Sequence, residues 1–182
     1  MDGRREIRER IIYYAERELG TTEERGGKNK VRYNDWYYPE YIDEKKKKRH
    51  PYWIDSTDFA WCGTFCSFVY VAAQFQMPPI DTELGVHYVP TLYHKAKALK
   101  WDTDEPQMGD LVLFDFKNDG KVFAQHIGIF HSWLEKGKTF TTIEGNTSKG
   151  ESGSQNNGGG VYKRKRNIST VCLFVNLVDN VE

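Results

Sequence analysis

The chain has 182 residues, with 26 Lys and Arg against 26 Asp and Glu, and 38% of it is apolar. This length suits one domain around one sizeable core, and 10 Phe, 5 Trp and 11 Tyr carry enough burial to exclude sustained disorder. A formal net charge of zero argues against a polyanion binder held by a global positive field, so no nucleic-acid partner is expected. No apolar run approaches the ~18 residues that cross a bilayer, so no membrane insertion is expected either.

The start, Met1-Asp2-Gly3-Arg4-Arg5, leads into a charged helical segment without the apolar core of a signal peptide. The expectation is synthesis in the cytoplasm, with any action outside requiring release or delivery by other means. Ile7, Ile11, Ile12, Ala15 and Leu19 share one helical face, and Gly20 can terminate the helix. Gly26-Gly27 signals a turn in a polar stretch. Val31–Tyr38 is dense in aromatics and keeps neither the helical nor the strand period. Lys45–Arg49 is a run of five basic residues beside Glu40, Asp43 and Glu44. It reads as a solvated surface insertion over residues 42–56, with contact to an anionic envelope polymer as the sharper alternative.

Phe65, Phe68, Val69 and Ala72 form the apolar stripe of a buried helix over Trp61–Phe75. Ser56, Thr57 or Asp58 can cap its start, and Met77-Pro78-Pro79 breaks it. A second helix begins at Pro90 and carries Leu92, Tyr93, Ala96 and Leu99, with proline in the tolerated first turn. After Pro106 the pattern turns to strands at Asp110–Phe116, Phe123–Trp133, Thr139–Ile143, Val161–Lys165 and Thr170–Leu177, rich in β-branched and aromatic residues. Asn118-Asp119-Gly120 marks a turn. Residues 148–160 form a Gly/Ser/Asn/Gln loop expected to be mobile. Helices first and strands afterwards predict an α+β fold: N-terminal helices packed on a C-terminal antiparallel sheet of about five to six strands, in a single domain spanning 1–182.

Three cysteines, Cys62, Cys66 and Cys172, leave at least one free thiol, and Cys-x3-Cys fits neither a redox pair nor a zinc site. Cys62 falls in the first turn of the buried helix, where unpaired backbone N–H groups and the helix dipole stabilise a thiolate and can receive an oxyanion. Cys66, one turn deeper, reads as a small core residue. In Gln125-His126-Ile127-Gly128-Ile129, strand alternation sends Ile127 and Ile129 inward, and His126 with Gly128 to the other face. His131 faces away and is the weaker base. His50, His87 and His94 read as surface residues. In Thr142-Ile143-Glu144-Gly145-Asn146-Thr147, Ile143 packs inward and Glu144 emerges on the opposite face, where a carboxylate can fix an imidazole tautomer. Asn146 can add a polar contact. A cysteine on a helix N-terminus followed by a histidine and a carboxylate on strands is the layout of a thiol acyl-transfer site.

Trp61-Cys62-Gly63-Thr64-Phe65, Gly109-Asp110-Leu111-Val112-Leu113-Phe114, His126-Ile127-Gly128-Ile129 and Ile143-Glu144-Gly145-Asn146-Thr147 together resemble the CHAP family. These are cysteine- and histidine-dependent amidohydrolases/peptidases, related to the NlpC/P60 peptidases and papain-like in fold. Gly20–Tyr38, with Asn29, Tyr33-Asn34 and Trp36-Tyr37, resembles the segment that precedes the cysteine in bacterial and phage members. The resemblance covers nearly the whole chain. It implies Cys62 as nucleophile, His126 as general base, Glu144 as the group that orients it, and Asn146 as the second polar residue of the family's Glu-x-Asn motif.

Two departures stand out. The glutamine that completes the oxyanion hole in papain-like enzymes is replaced on the approach by Asp55, Ser56, Thr57 and Asp58. The Asp-rich calcium loop of some phage members is also missing, so no metal and no cofactor is expected. The function implied is peptidoglycan amide hydrolysis by a monomer of endolysin or delivered-effector type, with peptidoglycan as partner. Tyr33, Trp36, Tyr37, Trp61 and Asp58 are the candidates for binding it. The rivals are an amidase or transferase acting on a small peptide conjugate, a catalytically silent wall-binding module, and a thiol redox role for Cys62 and Cys66.

Overall fold

The computed structural model describes residues 3–25, 27–42, 44–49, 51, 54–75, 88–117, 119, 121–150 and 152–180. Gly26, His50, Met77-Pro78-Pro79, His87, Asn118 and Gly120, on which sequence expectations rest, lie outside them.

Five helices precede the sheet among the described residues: α1 (Gly3–Arg17), α2 (Arg32–Tyr41), α3 (Glu44–Arg49), α4 (Cys62–Ala72) and α5 (Val89–Leu99). The strands are β1 (Leu111–Phe114), β2 (His126–Glu135), β3 (Thr139–Thr147), β4 (Gly160–Asn167) and β5 (Val171–Val175). They form one antiparallel sheet in the order β4-β3-β2-β1-β5. The α+β architecture is the one expected and is consistent with papain-like domains.

Strand alternation divides the sheet's side chains between two buried layers. Leu111, Leu113, Ile127, Ile129, Ile143, Leu173 and Val175 pack against Phe65, Val69 and Tyr70 of α4 and Ile11 and Ala15 of α1. A fully buried side chain of this size contributes about 1.5–3 kcal/mol. The opposite face carries an aromatic cluster of Phe114, Phe130, Phe140 and Phe174 with Val112.

Helix α2 is a departure from the sequence reading. Its period is masked because aromatics lie on several sides: Tyr33 and Tyr37 are buried at i, i+4 spacing, while Trp36 packs on Tyr41 and Phe68. Pro39 is accommodated within the helix. Three other boundaries move. α4 starts at Cys62, β3 runs on through Glu144 to Thr147, and Phe123 stands before β2, half exposed.

Two buried polar assemblies hold these elements in place. Arg8 of α1 donates from Nη1 to Asp110 Oδ1 at 2.6 Å and to the Met108 carbonyl at 3.0 Å, and from Nη2 to Asn176 Oδ1 at 2.9 Å. Asp179 lies 3.1 Å from the same guanidinium. Asn34 of α2 is fully buried and spans three segments. It donates to the carbonyls of Asn29 (3.2 Å) and Phe59 (3.0 Å) and accepts from Thr64 Oγ1 of α4 at 2.7 Å. Asn29 in turn donates to the Thr57 carbonyl at 3.1 Å. The loop leading into Cys62 is therefore fixed by buried amides rather than by apolar packing alone.

Candidate active site

Cys62 is the first residue of α4 and is 3% exposed. Residue Trp61 occupies the N-cap position and makes no side-chain cap bond. None of Ser56, Thr57 and Asp58 caps this helix, contrary to the sequence expectation. Asp58 Oδ2 accepts instead from the amides of Ile54 (2.6 Å) and Asp55 (2.9 Å), closing the preceding turn on itself. The N–H groups of the first turn of α4 are left without a side-chain partner, and an acyl oxyanion needs such donors.

His126 opens β2 and is fully buried, as is Glu144 on β3. Gly128 and Glu144 lie opposite each other, one step beyond the Ile129–Ile143 pair, so the Glu144 side chain crosses over Gly128 to reach His126. A Cβ on Gly128 would sit 2.5 Å from Glu144 Cγ, which is why only glycine fits there. Gly145 serves the other face, where a Cβ would meet Phe65 at 2.6 Å and Trp61 at 2.9 Å. It lets α4 sit close enough to β3 to bring Cys62 beside the sheet.

Nε2 of His126 is bonded to Glu144 Oε2 at 2.9 Å. Nδ1 is buried and makes no hydrogen bond, so it is the nitrogen left for Cys62, whose side chain interacts with the ring. Burial disfavours the imidazolium, but the Cys62 and Glu144 side chains outweigh it and raise the His126 pKa from 6.5 to about 9. Burial likewise disfavours the Glu144 carboxylate. Hydrogen bonds from Arg166 and His126 outweigh that and hold it at about 2, against 4.5 in its free state.

These shifts set a pH dependence of stability. His126 contributes stability that is complete below pH 6.5 and lost as pH rises through about 9. Glu144 contributes stability that is complete above pH 4.5 and lost as pH falls through about 2. Their joint contribution is largest between pH 4.5 and 6.5. Thermal melts of wild type and Glu144→Gln should therefore differ most in that window, converge as pH falls through about 2, and keep a smaller difference above about pH 9, where Glu144 still has Arg166 as its partner. A difference independent of pH would refute the linkage.

Arg166 of β4 completes the cluster, and nothing in the sequence reading singled it out. It is 7% exposed and donates from Nε to Glu144 Oε1 at 2.7 Å, with Nη2 on Glu144 Oε2. The Thr142 hydroxyl also donates to Glu144. The guanidinium lies 5.4 Å over the Phe114 ring and 5.1 Å over that of Phe116. The register Thr142–Arg164 and Phe140–Arg166 puts Arg166 on the Glu144 face, and strand period without that register does not.

The remaining candidates lie elsewhere. Asn146 is buried with φ of 56°, and its side chain donates to Asn157 at 3.3 Å and accepts from the Gly159 amide at 3.2 Å. It organises the loop before β4. Tyr33, Trp61 and Tyr37 are core residues rather than groove walls, at 0–3% exposure. Tyr33 stacks on Trp61 and donates its hydroxyl to Glu18, while Trp61 Nε1 donates to Glu23 at 2.8 Å. Trp36 packs in the aromatic cluster of α2, and Asp58 is committed to its turn. His131 faces α1, with Lys163 2.9 Å and Glu16 3.4 Å from Nε2. Cys66 is buried beneath Cys62, and burial pushes its thiol well up.

Cys62 opens instead on a cleft of about 450 Å³ whose walls include Phe59, Tyr88, Phe123, Lys117 and Asn156. Tyr88 is 39% and Phe123 50% exposed, so both rings are available to a ligand. Asn156 comes from the loop at 148–160. That loop is tied down: Arg164 donates to the carbonyls of Ser148 and Gly150, and Gln155 Oε1 accepts from Arg164 and Arg166, both at 2.7 Å. Among the described residues no group of three or more His, Cys, Asp or Glu side chains is placed to hold a metal ion, and no helix is long and apolar enough to cross a membrane.

A family model of the CHAP domain matches residues 54–146, which include Cys62, His126 and Glu144. No curated protein and no solved structure matches the chain.

Proposed function

Because the chain belongs to the CHAP domain family, whose members act generally as amidases or peptidases on peptidoglycan, we propose that it hydrolyses an amide bond of the peptidoglycan stem peptide or cross-link through Cys62, His126 and Glu144. The observation that carries this reading is the buried His126–Glu144 bond, which leaves His126 Nδ1 for a cysteine at an uncapped helix start, beside an open cleft.

Cys62 sulfur attacks the carbonyl carbon, forming a C–S bond as the carbonyl electrons move to oxygen. The N–H groups of the first turn of α4 receive that oxyanion. Collapse expels the amine, which takes the proton held on His126, and a thioester remains. His126 then accepts one proton from water as its oxygen attacks the thioester, the C–S bond breaks to expel the Cys62 thiolate, and the acid product loses its remaining proton to solvent, so the thiolate–imidazolium pair is restored. Glu144 keeps the ring oriented and stabilises its charged form throughout. Turnover should fall above about pH 9, where the imidazolium loses its proton. The place of action in this reading is the cell wall, reached after release or delivery.

Digestion of purified Gram-negative and Gram-positive sacculi, with products read by mass spectrometry, tests the proposal. New peptide amines or free muramoyl carboxyls are the expected result, and their identity tells amidase from endopeptidase. Folded, reduced protein that releases nothing from either wall would overturn it.

Gly128→Ala provides a second check. Its methyl group would collide with the Glu144 side chain rather than with backbone. The carboxylate must move, and His126 with it. A displacement of about 1 Å in such a site costs on the order of 100-fold in turnover. Sacculus release by Gly128→Ala should fall by about that factor with the fold retained by circular dichroism. Release equal to wild type would contradict the geometry.

A further inference from the structure

Arg166 lies outside the segment that matches the family model, which ends at residue 146, yet it makes two bonds to the carboxylate that holds His126. A fully buried carboxylate is expensive to keep charged. His126 alone is a poor counter-ion for it, because its proton leaves during each turnover. A permanently charged, forked donor has no such defect.

Counting charges makes the point. In the attacking form the sulfur and Glu144 are negative, and His126 and Arg166 are positive, so the site is neutral. When the imidazolium gives up its proton to the leaving amine, Glu144 still has a partner. The fork also fixes the carboxylate plane: Nε serves Oε1 and Nη2 serves Oε2, while Oε2 alone faces His126 Nε2. The guanidinium is itself clamped, by the faces of Phe114 and Phe116 and by Gln155 Oε1.

We propose that Arg166 is a positioning residue of this hydrolysis, holding Glu144 ionised and in register with His126 through each proton transfer. The inference rests on the reading of Cys62, His126 and Glu144 given above. The other charged or titratable groups near Glu144 are few. Cys66 of α4 interacts with its charge. Arg164, two residues before Arg166 and on the same face of β4, spends its guanidinium on Ser148, Gly150 and Gln155. Thr142 and Thr147 supply only hydroxyls.

The test uses a readout that needs no substrate. The ring resonance of His126, followed by NMR against pH, reports protonation of the carboxylate bonded to Nε2, and Glu144→Gln identifies that inflection by removing it. Loss of a guanidinium at this distance should raise the carboxylate pKa by about 1–3 units. In Arg166→Met the acid inflection should therefore move up by that amount, and the acid limb of sacculus release should move with it. Arg166→Lys keeps the charge but not the fork, so its inflection should fall between wild type and Arg166→Met.

An inflection in folded Arg166→Met that stays at the wild-type pH overturns the proposal, since a residue needed only for packing would lower the melting temperature without moving a titration. If Arg166→Met does not fold, Arg166→Lys carries the test: an inflection raised above wild type supports the proposal, and one at the wild-type pH overturns it. Sacculi that stay intact while the inflection moves would sink the hydrolase reading and leave the role of Arg166 toward Glu144 standing.

Discussion

Cys62→Ala is expected to reduce sacculus release by about 10⁴-fold or more while leaving the fold intact. Removing the nucleophile of a concerted set removes nearly the whole covalent route, and what survives comes from binding and oxyanion contacts. The structural cost is small, because the thiol fills a 3%-exposed position at a helix start and alanine is tolerated there. Calorimetry and release assays on the same preparation separate the two effects. A variant retaining a tenth of wild-type release would remove Cys62 from the mechanism, and attention would pass to activated water. Cys66 is not an alternative, being buried with its thiol pushed well above the ordinary range.

Arg8→Ala should produce a large loss of stability at a position away from the cleft. The side chain is 6% exposed and Asp110 is fully buried. Deleting one member of such a pair leaves a charge without its partner in a low-dielectric interior, a loss of about 3–5 kcal/mol. For a domain of this size that corresponds to a melting temperature lower by about 6–20 °C. Chemical denaturation read by Trp fluorescence gives the same quantity independently. Asp110→Asn should be milder than Arg8→Ala, since an amide can still accept from the guanidinium. A shift below about 1 kcal/mol for Arg8→Ala would show that the pair contributes no more than an exposed one.

How much of this was legible beforehand depended on how each residue is specified. Cys62, His126 and Glu144 could be found because two simple periodicities place them: a helix start after an aromatic, and strands whose Ile residues declare the inward face. The aromatics proposed for the groove failed for a definable reason. Tyr33 and Trp61 each carry a polar tip that finds a glutamate, buried Glu18 and half-buried Glu23, and a satisfied tip makes an aromatic a core residue. The actual walls, Tyr88 and Phe123, come from segments whose patterning says nothing about a cleft. Arg166 was hidden because the strand expected there, Val161–Lys165, stops one residue short of it and alternates between faces not fixed by its own sequence. Only the register with β3 reveals that alternate members turn inward. The loop at 148–160 looked unconstrained because its anchors, Arg164 and Arg166, lie in the strand that follows it.

The partners of Arg8 lie 102 and 168 residues further along the chain, and β5 docks against β1 rather than beside its neighbour in sequence. The first helix can therefore reach its final contacts only after residues 171–180 have been made. A ribosome-bound chain lacking them already carries Cys62, His126, Glu144 and Arg166, but not the strand that closes the edge of β1. Such long-range closure slows folding, to the millisecond-to-second range typical of non-local topologies. It also postpones assembly of the completed domain until synthesis has passed β5.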